Sequence, residues 1–367
     1  MIEAYVKAKQ IALGRSIARR RKIYLDLMYW ITVRDAALGL RHDPPALKLL
    51  HFLRRGVQRG VIVCPIADNI FLELMKQPYS DDRRLGTARL CEELSLGVSL
   101  MVWDRRLGTE IYVAIHQMLG REESLHDMAD LVWTKAALVL GEAYPVIDGL
   151  EPLDLFDLQR RFIDDLWTTP FSKMIEILGA QPHRDDPHVA LSSETNLNRD
   201  RHADEITSFE RAYEIELRGA IDVCGELAAD ALCAIAEKDG VTKPAPTDME
   251  SWARLKTVGR NTLFGAFKAG LGRRVVRTLH IETSLHAALR VDKERRIKPN
   301  DFYDFRHAAA ALGYCDLFLT ERPLHDLAKR RQLDLLAIND CQIFSGIAEA
   351  TDAVRGLVRA ASLPSNP

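Results

Sequence analysis

Short apolar runs alternate with amphipathic segments at both ends of the chain. Near the start, the runs at 23–28 (IYLDLM), 61–65 (VIVCP) and 98–104 (VSLMVWD) predict buried strands. The segments between them have helical periodicity, with helices expected to Gly39, from Pro45 to about Gly56, over IADNIFLELMKQ and over 81–95. Alternating strands and helices are typical of a parallel α/β sheet.

The same alternation returns near the end of the chain. The pattern predicts a helix from about Asp301 to Leu312, a strand at 317–321, a helix at 323–331 and a last strand at 333–338. A sheet built from both termini requires a discontinuous domain. We therefore expect a three-layer α/β/α sandwich over 23–104 and 275–347, with a basic helical extension at 1–22 and a C-terminal helix and tail at 348–367.

The middle of the chain, 105–274, shows almost only helical periodicity. Apolar residues recur every three or four positions from Ile206 to Ile235, which predicts one long amphipathic helix. The polar stretch before it, 181–205, is expected to be an exposed loop; its segment HRDDPH (183–188) has metal-capable side chains, but their spacing fits no zinc pattern. This helical insertion could select substrate, form a homodimer or receive an inhibitor protein, and the pattern leaves these roles open.

The composition predicts a folded globular protein and argues against membrane, disulfide-rich and zinc-stabilised classes. The chain is 47% hydrophobic and 28% charged, as in folded globular proteins. Neither an apolar run long enough for a bilayer nor a signal-like start is visible, so we expect a cytoplasmic protein without membrane association. The six cysteines contain no C-x-x-C pair, which argues against a disulfide framework or a structural zinc site.

Carboxylates in unusual surroundings are the main chemical signal. Asp26 lies inside the apolar run IYLDLMYWI, where an unpaired buried carboxylate would cost several kcal/mol. Glu73 lies in a half-apolar helix, Asp304 opens a late helix, and Asp316 and Glu321 flank the strand LFLT. The carboxyl ends of parallel strands meet at one sheet edge, where ligands usually bind. Oxygen donors without Cys suit Mg²⁺ or Mn²⁺, and two such ions could cleave a phosphodiester.

The order of these segments resembles the acidic motifs of PIN-like domain nucleases. The matching segments are LDLMYWI, IADNIFLELMK and NDFYDFRHAAAALGYCDLFLTERPLHDLAKR. The resemblance implies that Asp26, Glu73, Asp304 and Glu321 hold the metal, with Asp316 as an additional candidate ligand. It places Thr320 in the family's threonine position and makes His307 a supporting residue. The last acid is Glu321 where the family more often has Asp, and the insertion is larger than in compact members.

Each candidate also has a purely structural interpretation. Asp26 could belong to a buried hydrogen-bond network, Glu73 could simply reach solvent, and an acid such as Asp304 could favour its helix start, with Asp301 as the N-cap. Asp316 and Glu321 share one or two ligand roles that the sequence does not assign.

Nucleic-acid binding must come from local clusters, because the net charge is only −2. The cluster of Arg19, Arg20, Arg21 and Lys22 immediately precedes the strand that carries Asp26, and it is the preferred candidate for holding phosphates near the metal. Basic clusters are more often solvated faces.

The sequence and the resemblance together predict a metal-dependent nuclease, with RNA preferred as substrate because the family is mostly ribonucleolytic. A toxin-type or defence-type ribonuclease is one form of this hypothesis. Two alternatives remain: a structure-specific DNA nuclease, and a catalytically degenerate PIN-like scaffold whose helices bind a protein partner.

Overall fold

The structure is a computed structural model that describes residues 1–77, 80–121, 125–180, 186–292 and 294–360. Part of the predicted loop, 181–185, and the end of the predicted tail, 361–367, lie outside these residues. Within them the chain is mostly helical. The helices, in chain order, are α1 Ile2–Ile17, α2 Leu27–Ala37, α3 Pro44–Gln58, α4 Asp68–Lys76, α5 Gly86–Ser95, α6 Trp103–Met118, α7 Met128–Leu131, α8 Pro152–Thr168, α9 Phe171–Leu178, α10 Pro187–Arg201, α11 Phe209–Val223, α12 Gly225–Lys238, α13 Met249–Lys268, α14 Leu271–Val275, α15 Arg277–Val291, α16 Pro299–Tyr314, α17 Arg322–Ala328 and α18 Ile347–Ala360.

A small parallel sheet lies in the core, as the alternating pattern at the two termini predicts. The strands are β1 Arg21–Leu25, β2 Ile62–Val63, β3 Val98–Leu100, β4 Trp133–Lys135, β5 Leu317–Leu319 and β6 Gln342–Phe344. Four of them form a sheet in the order β2-β1-β5-β6, with every neighbouring pair parallel. A parallel bridge between Ile66 and Ser99 places β3 beyond β2, and β3 pairs with β4 in antiparallel orientation.

Both faces of the central strand are covered. Ile23, Tyr24 and Leu25 alternate between the faces, and all three are fully buried. A continuous apolar run is therefore correct for β1, because helices cover a parallel sheet on both sides. The chain has a mixed α/β core, and its late strands are next to its early ones although the insertion separates them in sequence.

The insertion covers its own apolar stripe. The predicted single helix from Ile206 to Ile235 is wrong: the chain bends at Cys224, whose ψ of 3° separates α11 from α12. Helix α11 packs against α15, and α12 packs against α13 and α6. At Gly259 in α13 a side chain would meet the Cβ of Ala228 at 2.7 Å, so the close approach of α12 and α13 requires glycine there.

Two further expectations need correction, and one strand was missed. The predicted loop at 181–205 contains the helix α10, which begins after Asp186 accepts a hydrogen bond from the His188 N–H at 3.0 Å. The predicted strand at 333–338 is instead a short 3-10 helix, Leu335–Ile338, and the last strand is β6. Short apolar runs do not distinguish strand from helical turn. The strand β4 was not predicted.

Buried polar contacts join the insertion to the sheet domain. The carboxylate of Glu110 in α6 accepts hydrogen bonds from the backbone N–H of Thr278 at 3.0 Å, from its hydroxyl at 2.7 Å and from the Tyr314 phenol. Burial raises the pKa of Glu110 to about 7. Among the helices of the described chain, none is both long and apolar enough to cross a membrane.

Candidate metal centre

Asp26 lies at the carboxyl end of β1 and begins α2. Its Oδ1 accepts a hydrogen bond from the Tyr29 N–H at 3.0 Å, and its Oδ2 accepts one from the Glu321 N–H at 2.9 Å. The residue is only 6% exposed. Burial raises the pKa of Asp26 to about 6, although the Tyr29 N–H, the charge of His307 and the Thr320 hydroxyl all act to lower it. Asp26 is thus a helix cap as well as a candidate ligand.

His307 and Glu73 form a direct pair on neighbouring helices. The His307 Nε2 is 2.6 Å from the Glu73 Oε2, and the His307 Nδ1 is 2.9 Å from the Tyr24 hydroxyl. Burial alone would lower the pKa of His307, but Glu73, with Asp26 and Asp304, raises it above the usual value. The contact uses one Glu73 oxygen, so Oε1 is left for a further donor or cation. Sequence reasoning named both residues but not their contact.

Asp304 lies one helical turn before His307 on α16. None of the described residues donates a hydrogen bond to its half-buried carboxylate. Burial, together with the charges of Asp301, Glu73 and Asp26, raises the pKa of Asp304 to about 7, while His307 acts to lower it. The nearby carboxylates disfavour ionisation of Asp304, because like charges repel in a poorly solvated region. A bound cation would remove this repulsion.

Thr320 and Glu321 follow β5 at the same edge of the sheet. The Thr320 backbone N–H donates to the Phe344 carbonyl at 3.0 Å, which continues the pairing of β5 with β6, and its hydroxyl reaches Asp26. Glu321 is exposed and begins α17 without a side-chain capping bond. Its backbone contacts Asp26 directly, so of the two late acids Glu321 is the one next to the candidate centre.

Asp316 is not part of this group, and the expectation that it is a ligand needs correction. It precedes β5, at the amino edge, where its Oδ1 pairs with the Arg21 guanidinium at 2.6 Å and its Oδ2 accepts from the Lys22 N–H at 2.7 Å. The strand from Arg21 to Asp26 spans about 16 Å at the usual rise per residue. Asp316 and Asp26 therefore occupy opposite edges of the sheet.

The basic cluster lies at that amino edge too. Arg21 pairs with Asp316, the Lys22 Nζ donates to the Ala18 carbonyl at 3.1 Å, and the Arg20 guanidinium donates to the Ile62 carbonyl at 3.5 Å. Arg19 is exposed on the same segment. Residues that precede a strand lie at its amino end, whereas residues that follow it, such as Asp26 after β1, lie at its carboxyl end. The expectation that this cluster holds phosphates beside Asp26 is corrected accordingly.

Asp301, rather than Asp304, accepts the hydrogen bond at the start of α16. Its Oδ2 accepts a hydrogen bond from the Lys298 N–H at 2.7 Å, and its Oδ1 pairs with the Arg295 guanidinium at 2.6 Å. The N-cap is Lys298 rather than Asp301, which reaches back from inside the first turn. Asp301 therefore satisfies the helix start, and Asp304 is left without that role.

Sequence reasoning missed two residues at the start of α4. Asp68 is buried, and its Oδ2 accepts from the Trp103 N–H at 3.2 Å. Asn69 is 1% exposed, and neither of its side-chain amide atoms has a hydrogen-bond partner in the structure. Asn69 shares a helix face with Glu73, one turn away. The sequence does contain a signal for these two residues, because Asp68 and Asn69 follow the buried run VIVCP, beyond the carboxyl end of β2.

The donor set fits a hard divalent cation in its chemistry but is not arranged as a finished coordination sphere. Within the described ranges, no three Asp, Glu, His or Cys side chains are grouped closely enough to hold an ion. The carboxylates of Asp26, Glu73 and Asp304, with the unpartnered Asn69 amide, are the oxygen donors that Mg²⁺ and Mn²⁺ prefer. To bind an ion, Glu73 would have to use Oε1 or turn away from His307.

Comparison with protein-family models, with curated proteins and with solved structures gave no match for this chain.

Proposed function

We propose that this chain is a divalent-metal-dependent nuclease of the PIN-like class that hydrolyses phosphodiester bonds, preferably in RNA. The observation that carries the proposal is that Asp26, Glu73 and Asp304 lie near enough to interact: burial, together with the charges of Asp301, Glu73 and Asp26, raises the pKa of Asp304 to about 7. These acids come from three separate segments of the chain, and a shared cation is the simplest reason to collect them at one edge.

The sheet supports the same proposal. Its parallel order β2-β1-β5-β6 puts the residues after β1, β2 and β5 at one edge. In open α/β sheets this edge is where ligands bind. The preference for RNA rests on the resemblance to the nuclease family.

Asp26, Glu73 and Asp304 would hold Mg²⁺ or Mn²⁺, with Asn69 and Glu321 as further oxygen donors. A bound ion of this kind supplies charge neutralisation at the phosphate and an acidified water molecule. Other groups of the chain orient the candidate ligands. The Tyr29 and Glu321 N–H groups hold the Asp26 carboxylate, and His307 holds the Glu73 carboxylate. Because acid pH protonates Asp304 and Asp26, the ligands are lost and activity should fall below neutral pH.

The test is a manganese-supplemented cleavage assay on single-stranded RNA, single-stranded DNA and flapped duplexes. Asp26→Asn and Asp304→Asn should each abolish cleavage while leaving the circular dichroism spectrum unchanged. Asp316→Asn is the matched control, because it changes a carboxylate of the same sheet at the opposite edge, and it should retain activity. Undiminished cleavage in both site variants would overturn the proposal, and cleavage of flapped DNA alone would replace RNA as the substrate.

A catalytically degenerate scaffold is the second candidate, favoured by the Glu73–His307 contact and by the absence of a grouped donor set among the described residues. Calorimetric titration with Mn²⁺ separates the two proposals. A nuclease should bind Mn²⁺ in a manner that Asp304→Asn weakens, whereas a scaffold should bind none.

A further inference from the structure

A cavity that opens to solvent has a volume of about 820 Å³ and lies between α11, α13, α14, α15 and residues 332–338. Both apolar and charged side chains line it. Residues 332–338 lead into the start of β6, and the cavity residue Arg277 donates to the carbonyl of Gly313 at 2.8 Å, just before β5. The cavity is therefore on the amino-edge side of the sheet, opposite the edge that carries Asp26.

Cations without carboxylate partners line this cavity. Lys268, Arg273 and Arg274 form no ion pair with any carboxylate in the described chain. Among the described residues, Arg277 donates hydrogen bonds only to neutral acceptors, which are the carbonyls of Arg274 and Gly313 and the Asn339 side chain. Besides the hydrogen bond from Arg218, the charge of Lys268 helps to lower the pKa of Glu214 without forming an ion pair with it. Four positive charges that line one cavity without carboxylate ion pairs favour a negatively charged ligand.

The acids at the cavity do not cancel this charge. Glu214 pairs with Arg218 at 2.8 Å, and hydrogen bonds within the first turn of its own helix lower the pKa of Glu210. Asp334 is the remaining acidic lining residue. Two of the three acids are thus already engaged by neighbouring groups of the chain.

Flat side chains give the cavity an apolar wall. The Arg273 guanidinium is 5.2 Å from the centre of the Tyr213 ring, and the Lys268 Nζ is 5.0 Å from that of Phe264. The Tyr213 hydroxyl is 2.8 Å from His280 Nδ1. Burial, with the charge of Arg273, lowers the pKa of His280 to about 4, so its ring is neutral at physiological pH. Neutral rings beside cations suit a ligand that has both a flat body and an anionic group.

We propose that this cavity binds a nucleoside phosphate, with the phosphates held by Lys268, Arg273 and Arg274 and the base against the aromatic wall. Its volume is within the range of roughly 300–1,000 Å³ typical of small-molecule sites. The proposal goes beyond the nuclease function, since it uses none of the carboxylates at the other edge.

Isothermal titration and thermal-shift measurements on the full chain test the proposal. ATP, GTP, CTP and UTP are titrated separately in EDTA, so that no divalent cation draws a nucleotide to the carboxylates. At least one nucleotide should bind, and the double variant Arg273→Gln, Arg274→Gln should weaken its affinity by about tenfold or more. Arg254→Gln is the matched control, because Arg254 is an exposed cation of α13 that pairs with Glu250.

The remaining arms identify which part of the ligand is recognised. Tripolyphosphate and adenosine, as the two halves of ATP, should each bind more weakly than the nucleotide. The proposal is overturned if no nucleotide binds at millimolar concentration, if binding survives the double variant, or if tripolyphosphate binds as tightly as the nucleotides. Binding that Asp26→Asn or Asp304→Asn abolishes would place the nucleotide at the carboxylates and would equally defeat it. If the double variant is unfolded by circular dichroism, Lys268→Met replaces it with the same expected loss.

Discussion

The carboxylate of Asp26 accepts a hydrogen bond from the backbone N–H of Glu321, 2.9 Å away and 295 residues further along the chain. The other oxygen of the same carboxylate caps α2 through the Tyr29 N–H. One side chain thus joins the first and the late parts of the sheet at the edge where the acids collect. A residue proposed to hold a metal is therefore also a structural cap.

This double role predicts different effects for two substitutions of Asp26. Both substitutions remove the buried charge whose cost raises the pKa of Asp26 to about 6, and this offsets part of the loss of hydrogen bonds equally in the two variants. Asp26→Asn keeps one acceptor oxygen, so its free energy of unfolding should exceed that of Asp26→Ala by about 1–2 kcal/mol. Urea unfolding at pH 7 measures both. Asp43→Asn is a control, since Asp43 caps α3 through the Ala46 N–H on a more exposed surface. Equal losses for Asn and Ala would contradict the shared-cap interpretation.

The central strand and the candidate acids were predictable because their signals are local. A carboxylate inside IYLDLMYWI is incompatible with an ordinary buried strand, and the structure places Asp26 where the strand has just ended. Asp316 was not predictable to the same degree. The sequence does not distinguish residues before a short strand from residues after it, yet the two lie at opposite edges of the sheet. An error of a few residues in the predicted strand bounds therefore assigns a residue to the wrong edge.

Other features could not be predicted because they depend on how distant segments pack together. The apolar stripe from Ile206 to Ile235 continues without interruption, so nothing in its periodicity marks the bend at Cys224. The unpartnered amide of Asn69 depends on what surrounds it in three dimensions, which no pattern in one segment contains. The cavity proposed to bind a nucleotide likewise forms only where α11, α13 and α15 pack against one another.

Asp304 predicts an unusual dependence of stability on pH in the metal-free chain. Its folded pKa of about 7 exceeds the ordinary value of 3.8, so the folded state binds more protons than the unfolded state between these pH values. The free energy of unfolding should consequently fall as pH rises through this window, by an amount on the order of 4 kcal/mol from this residue.

Urea unfolding in EDTA at several values between pH 4 and pH 8 measures this dependence. Asp304→Asn should be more stable than the unmodified chain at pH 8, and the two should converge near pH 4. Glu110, Asp26 and Glu282, with their raised pKa values, contribute in the same direction in both proteins. The difference between the two proteins therefore reports Asp304 together with its influence on the pKa of His307. Parallel curves for the two proteins across the range would contradict the raised pKa.

The pair of Glu73 and His307 predicts a measurable change in protonation. Burial lowers the pKa of His307, and the charge and hydrogen bond of Glu73, with the charges of Asp26 and Asp304, together raise it above its ordinary value of 6.5. Glu73→Gln removes the largest of these raising influences, so the pKa of His307 should fall. Nuclear magnetic resonance of ¹⁵N-labelled imidazole rings follows this titration directly.

The matched control for that pair is Tyr24→Phe. It removes the hydroxyl that is 2.9 Å from His307 Nδ1 but leaves Glu73 in contact, so the pKa of His307 should remain raised. If Glu73→Gln leaves the titration of His307 unchanged, the pair does not control the protonation of this ring. Because the folded pKa is raised, the pair stabilises the fold most below pH 6.5 and loses this effect as pH rises through the folded value.

Substrate contacts should follow the edge of the sheet rather than the density of basic residues in the sequence. Arg322 directly follows Glu321 and is 83% exposed, with Asp326 at 3.5 Å as a weak partner, whereas Arg19 lies in the segment that enters β1 at the amino edge. If the chain is a nuclease, Arg322→Gln should raise KM for an RNA substrate by about threefold to tenfold with little change in kcat, because a phosphate contact contributes mainly to binding. Arg19→Gln, the equivalent loss of one charge, should change KM by less than about twofold. Steady-state cleavage at two salt concentrations measures both, and a larger KM effect for Arg19 than for Arg322 would move the substrate path to the amino edge.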